Sequence, residues 1–374
     1  MTNRTSTSAE AAGSEPNVTH AATDTVHTTD DTVRDLQRRV VAFIASPSDR
    51  DFDTLALDVH AYQYRSNPPY RRFVDRSGTS APSTWREIPA VPAEAFRMSV
   101  LACGPAERVY RSSGTTAGQD RRAEHHVPDV AVYRAAALGG FARAVLPAGT
   151  RRRMVVAAPE RSSHRSSSLG EMVSWLRATY DSDSVPSFLG ADGVDVARLA
   201  HTLERIGDSQ PILLVAVTSA LLRLVDWADA EGRRFSLPSG SLVIDTGGCK
   251  GYDRDLPRSD VLTSYRRVLG IGSAQVVNEY GMTELGSQLY AYGDGPHRPP
   301  PWLRVAVTDL ATGHDVPRGE VGCLRFYDLA NLGSVSAIQT EDVGRLRDGG
   351  VELLGRTPGA MTRGCSLLAV GGAA

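Results

Sequence analysis

The stretch PILLVAVTSALLRLVDWADAEG, residues 211–232, constrains the fold more than any other part of the chain. It opens as an unbroken apolar run and continues at helical spacing to a stop near Gly232. A strand that is apolar on both faces needs cover on both, which is the situation of a parallel sheet between helices. Three more runs share this texture: RRMVVAAPE (Arg152–Glu160), GSLVIDTGG (240–248) and SAQVVNEYGMTE (273–284). Strands alternating with helical stretches predict βαβ units and an α/β fold with a parallel core. The apolar run itself is broken by Thr218, Ser219 and Arg223, and falls short of the ~20 residues that span a bilayer.

The flanks differ. Residues 1–30 are polar and threonine-rich and lack the apolar core of a signal peptide, which predicts a disordered tail. VRDLQRRVVAFIA predicts a helix from about Asp31. Beyond Pro299–Pro301 the sequence WLRVAVTDLATGHDVPRGEVGCLRFYDL alternates and turns at ATGHD and PRGE, as antiparallel hairpins do. The expected layout is a tail (1–30), a helical entry plus α/β core (31–300), and a smaller β-rich lobe (301–374). A net charge of −2 gives no electrostatic footprint for nucleic acid or an anionic membrane. The four cysteines, Cys103, Cys249, Cys323 and Cys365, form no CxxC pair, which fits free thiols in a reducing cytoplasm.

Three segments can carry chemistry. YRSSGTTAGQDRR (110–122) gathers Ser112, Ser113, Gly114, Thr115 and Thr116, whose backbone N–H groups and hydroxyls suit an anion. It equally suits a surface linker, and it is not a Walker loop, whose pattern is absent. NEYGMTE (278–284) follows a predicted buried strand, and ligands of open α/β sheets collect at strand carboxyl ends. Tyr280, with Gly281 after it, offers a face for a base, and Thr283 and Glu284 offer oxygens to phosphate or magnesium. A helix N-cap is the alternative there. In QTEDVGRLRDGGVELLGR (339–356), Asp342 can accept both hydroxyls of a ribose and Arg356 can reach ribose or phosphate. The two can also simply pair across a hairpin. His164, in a serine-rich segment, either shapes a pocket for an acid or is solvated.

Together, in this order, the segments resemble the adenylate-forming superfamily, which activates carboxylic acids with ATP. Ser112–Gly118 looks like that family's phosphate loop and Tyr280–Glu284 like its Y-G-x-T-E segment, whose glutamate binds Mg2+. Thr340-Glu341-Asp342 looks like its T-G-D ribose motif, with glutamate in place of glycine, and Gly355-Arg356 like its hinge arginine. The resemblance covers roughly residues 109–364. It implies the large N-terminal domain of that fold, ATP and Mg2+ as cofactors, and a fatty or aromatic carboxylic acid as substrate. The family's C-terminal domain, which supplies a catalytic lysine, is expected to be absent. Two short subgroups are similar: acyl-protein synthetases of bacterial luminescence (the LuxE type) and adenylating enzymes of phenazine pathways.

Lys250, in IDTGGCKGYDR, is the one lysine among 41 lysines and arginines. An ammonium is a compact charge on a slim stem where a guanidinium is a broad fork. In this reading Lys250 meets the charge developing at the α-phosphate, with Gly247 and Gly248 beside it. The resemblance to the luminescence type makes Cys365 an acyl acceptor that serves a carrier or reductase partner, although CSLLAV also reads as a buried strand. A nucleotide-binding scaffold without catalysis is the competing expectation. No G-x-S-x-G elbow supports a hydrolase.

Overall fold

The computed structural model describes residues 21–356, apart from 49, 80, 113–121, 184, 191, 207–209, 250, 251, 253 and 255. Ser113, Gly114, Thr115, Thr116, Lys250 and Cys365 therefore lie outside the described residues.

Three helices open the chain: α1 (Ala21–Ala45), α2 (Phe52–Ser66) and α3 (Pro68–Ser77). α1 starts earlier than the expected Asp31, so residues 21–30 are helical rather than part of a disordered tail. Leu36, Val40, Phe43 and Ile44 pack its second half into the core. Once a helix is nucleated, extension into polar sequence is cheap per residue. Asn67 ends α2 and caps α3, its side chain accepting from the Tyr70 amide, with Pro68 at the first helical turn.

Strand β1 (Val91–Pro92) and helix α4 (Ala95–Met98) lead to an antiparallel hairpin, β2 (Arg108–Arg111) with β3 (Glu124–Val127). Its strands flank residues 113–121. Next come α5 (Val130–Ala144), β4 (Arg153–Ala157) and α6 (Ser168–Tyr180). A short ribbon, β5 (Leu189–Gly190) and β6 (Gly193–Val194), precedes α7 (Val196–Ile206), β7 (Ile212–Val217) and α8 (Thr218–Ala230). The core is completed by β8 (Leu242–Thr246), α9 (Arg258–Leu269), β9 (Val276–Tyr280) and β10 (Leu289–Tyr292).

These strands form one sheet in the order β10-β9-β8-β7-β4, parallel except for β10. Ile212, Leu213, Leu214 and Val215 are all buried, as a strand covered on both faces must be. α7, α8 and α9 cover one face, and α5 and α6 the other.

The second sheet holds β11 (Leu303–Thr308), β12 (Gly322–Asp328), β13 (Ala337–Arg347) and β14 (Gly350–Arg356). It is antiparallel, as the hairpin pattern predicts, but β1 adds to β13 in parallel. A buried brace joins the two sheets. Trp302 Nε1 donates to Ser287 Oγ at 3.1 Å, and Ser287 Oγ donates to Asp328 Oδ1 at 2.6 Å. The Gly286 amide donates to Asp328 Oδ2 at 3.0 Å. A Cβ on Gly286 would stand 3.0 Å from the Ala330 backbone, so this approach requires glycine.

Candidate active site

β9 delivers Tyr280 to the carboxyl end of the parallel sheet, and the turn that follows carries Gly281 to Glu284. A Cβ on Gly281 would lie 2.7 Å from Glu279 Oε1, so a side chain there would displace a buried carboxylate. Across the gap between sheets, the Tyr280 hydroxyl donates to Asp342 Oδ2 at 2.5 Å. Asp342 sits opposite Arg356 in the β13–β14 register, and Arg356 Nε donates to Asp342 Oδ1 at 2.5 Å. The hairpin pair exists, and Tyr280 from the other sheet joins it. A carboxylate has about four lone-pair sites, so both contacts leave Asp342 able to accept further donors.

Glu284 faces the same group. Burial pushes its carboxyl up, while Arg356 and Arg97 pull it back. Its carbonyl is held by Asn331 Nδ2 at 2.7 Å. Arg97, from α4, carries no sequence signal; only the fold brings it here. Among the described residues no group of three or more His, Cys, Asp and Glu side chains could hold a metal. A single carboxylate nonetheless suits Mg2+ carried on a triphosphate, which keeps phosphate and water ligands. Glu284 would hold the ion and so neutralise phosphate charge.

The β2–β3 hairpin is bonded to this turn. His125 Nδ1 contacts the Thr283 carbonyl at 2.8 Å. Because a carbonyl only accepts, Nδ1 carries the proton, and burial depresses the ring's pKa to about 4. On its other side the hairpin meets the serine-rich segment, the Arg111 amide donating to the Ser166 carbonyl at 2.8 Å. Ser112 closes the hairpin neck: its amide donates to the Ala123 carbonyl at 3.0 Å and its Oγ accepts from the Ala123 amide at 3.1 Å. His164 is half-buried and bonded to Ser163 Oγ at 2.9 Å.

Gly247 and Gly248 follow β8 with φ of 79° and 57°, left-handed values that glycine adopts without steric cost. A Cβ added at either would meet no described atom within 4 Å, and both residues are exposed. Behind them lies a polar network that sequence reasoning missed. Arg258 Nη1 donates to Asp245 Oδ2 at 2.5 Å and Asn278 Nδ2 to Asp245 Oδ1 at 3.0 Å. His297 Nε2 meets Asn278 Oδ1 at 2.8 Å, and its ring packs against Tyr280 at 6.1 Å between centroids.

Glu279 points to the opposite sheet face from Tyr280, as alternate strand residues do. It is buried, accepts from Thr246 Oγ1, and its pKa rises to about 7 through burial and the neighbouring Asp245. A raised carboxyl pKa means the native state holds a proton the unfolded chain has lost. Its contribution therefore falls as pH climbs from 4.5 through 7. His125 and His297, both depressed from 6.5 to about 4, act oppositely and lose stability as pH falls through that window. Glu279→Gln should match the wild type near pH 4 and exceed it by roughly 3 kcal/mol at pH 8. Denaturant titrations at several pH values check this; a constant offset would contradict it.

No protein-family model matches the chain. A curated relative, the long-chain-fatty-acid--luciferin-component ligase of Vibrio harveyi, is 20% identical over 332 residues, 84% of this chain and 85% of that protein. Among solved structures, an open conformation of 2-hydroxyisobutyryl-CoA ligase with 2-HIB-AMP and CoA matches with a TM-score of 0.60 at 18% identity, covering 81% of this chain and 69% of that one. The same enzyme in its postadenylation state with 2-HIB-AMP gives 0.61 at 16% identity, covering 81% and 67%. No described helix is long and apolar enough to cross a membrane. The layered architecture and these likenesses agree: the chain has the fold of the adenylate-forming ligase superfamily.

Proposed function

We propose that the protein activates a carboxylic acid with Mg-ATP. An oxygen of the acid attacks the α-phosphorus, a P–O bond forms, and the bond to pyrophosphate breaks, giving acyl-AMP and pyrophosphate. The observation that carries this reading is that Asp342 accepts from both Tyr280 and Arg356, with Glu284 near enough to feel Arg356 and Asp342. In this reading Asp342 receives ribose hydroxyls, Arg356 steadies sugar or phosphate, and Tyr280 lines the base. Glu284 holds the Mg2+ of the nucleotide, and Thr283 and the backbone at Gly247 and Gly248 bound the reacting end. Residues 113–121, between the strands of a hairpin bonded to Thr283, are placed in sequence to meet the phosphates. No general base is needed, because the nucleophile is already a carboxylate.

The acyl group then passes to a thiol, either Cys365 or that of a carrier, or to a reductase partner. The relative from Vibrio harveyi supports a ligase of acyl groups and is the ground for this finer step. Cys103 is not that thiol: burial pushes its pKa up to about 12, so it holds its proton. Acid-dependent exchange of labelled pyrophosphate into ATP tests the activation. Exchange is expected with some member of a panel of acids. Nucleotide binding with no exchange for any acid would favour a non-catalytic scaffold. Cys365→Ser should keep exchange and lose covalent acyl labelling; label that persists would place the acceptor elsewhere.

A further inference from the structure

Asp328, the last residue of β12, is completely buried. Three neutral donors hold its carboxylate: the Gly286 amide on Oδ2 at 3.0 Å, and Ser287 Oγ and the Ala330 amide on Oδ1 at 2.6 and 2.9 Å. Because Trp302 Nε1 donates to Ser287 Oγ, the hydroxyl hydrogen of Ser287 is committed to Asp328. Burial pushes the carboxyl up to about 6 while these bonds pull it back, so near neutral pH it is ionised and only accepts. Burying a charge on neutral partners is costly, and stability alone does not call for a carboxylate here.

What the carboxylate supplies is geometry. Two of its donors, Gly286 and Ser287, lie just after Glu284 in the chain. The third belongs to the short helix Leu329–Asn331, which the Asp328 side chain caps. From that helix Asn331 Nδ2 donates back to the Glu284 carbonyl at 2.7 Å. One carboxylate therefore grips the Glu284 turn twice, directly at Gly286 and Ser287 and through Asn331 at Glu284 itself.

We propose that Asp328 is a positioning residue for the activation reaction: it fixes the turn that carries the Glu284 carboxyl, without itself touching ion or nucleotide. The proposal rests on the reading of Glu284 as the residue that holds Mg2+. A side chain already in place loses little further freedom when its partner arrives, and outer partners of metal-binding groups commonly set affinity by about 10–100-fold.

Titration calorimetry of the full chain with Mg-ATP and with ATP in EDTA tests this. The wild type should prefer Mg-ATP. Asp328→Asn keeps the size but puts an NH2 group where one oxygen accepted, so whichever way the amide lies a donor of the turn or of the helix loses its acceptor. The variant should lose at least about tenfold in affinity for Mg-ATP and bind metal-free ATP as the wild type does. Ser287→Ala leaves Asp328 in place and removes one donor; it should shift the same ratio in the same direction by less, and it serves if the asparagine variant does not fold. A general loosening of the fold would weaken both forms of the nucleotide alike. That result, or an unchanged ratio, overturns the proposal. Glu284→Gln separates it from the reading beneath. If that variant abolishes the preference for Mg-ATP while the Asp328 and Ser287 variants keep it, Asp328 has no positioning role and the role of Glu284 stands. If Glu284→Gln keeps the preference, Glu284 does not hold the ion and the proposal falls with that reading.

Discussion

Asp342→Ala is expected to lower kcat/KM for acid-dependent exchange about a thousandfold, near 4 kcal/mol of transition-state stabilisation, with the protein still folded. The size follows from what meets at this side chain. Asp342 accepts from Tyr280 and from Arg356, each at 2.5 Å, and in the proposed reading it also accepts from the ribose. Hydrogen bonds to a charged group contribute about 1.5–3 kcal/mol each, and losing this anion frees two donors and a sugar at once. Tyr280→Phe removes one of those contacts and should cost only about tenfold. Exchange kinetics beside an ATP titration separate the two variants. An alanine variant that binds ATP like the wild type would remove Asp342 from the site.

Lys250→Arg is expected to lower turnover at least a hundredfold, about 3 kcal/mol, with ATP affinity little changed. Lys250 lies outside the described residues, so the expectation rests on chemistry and on its place in the chain. It follows Gly247 and Gly248, whose backbone is left-handed just after β8. The substitution keeps the charge and changes its shape. A broad guanidinium cannot stand where a slim ammonium meets an oxygen of the α-phosphate. Single-turnover rates of adenylate formation give the readout, and near-normal rates would leave the lysine without a catalytic part.

What the sequence made legible was local. The apolar runs at residues 212–217 and 242–246 are strands covered on both faces because their own composition demands it. The alternation from Leu303 onward announces antiparallel pairing in the same way. Of the proposed site residues, Tyr280 ends β9, Glu284 lies in the turn after it and Arg356 ends β14, whereas Asp342 lies in the middle of β13 rather than just before a strand, because β13 begins at Ala337. The illegible parts are contacts between distant segments. β1 is only Val91–Pro92, and no periodicity exists over two residues; its pairing with Ile338 and Gln339 is a tertiary event. β10 reverses direction at the edge of a parallel sheet because Leu289–Tyr292 returns along Val277–Tyr280, which depends on the turn between them. His125 stands beside His126 with no local pattern that gives it a partner; only the fold brings its ring to Thr283. Asp245, Arg258, Asn278 and His297 look like scattered polar residues, and only the sheet gathers them.

The bond from His125 to the Thr283 carbonyl has a thermodynamic consequence. It fastens the arms that frame residues 113–121 to the peptide immediately before Glu284. If those residues grip a polyphosphate and that carboxylate grips its counterion, neither grip is independent: the first to form presets the geometry of the second. Linkage requires the preference to be mutual and equal in size. Such a chain would take up nucleotide and ion as one guest, in preference to either alone.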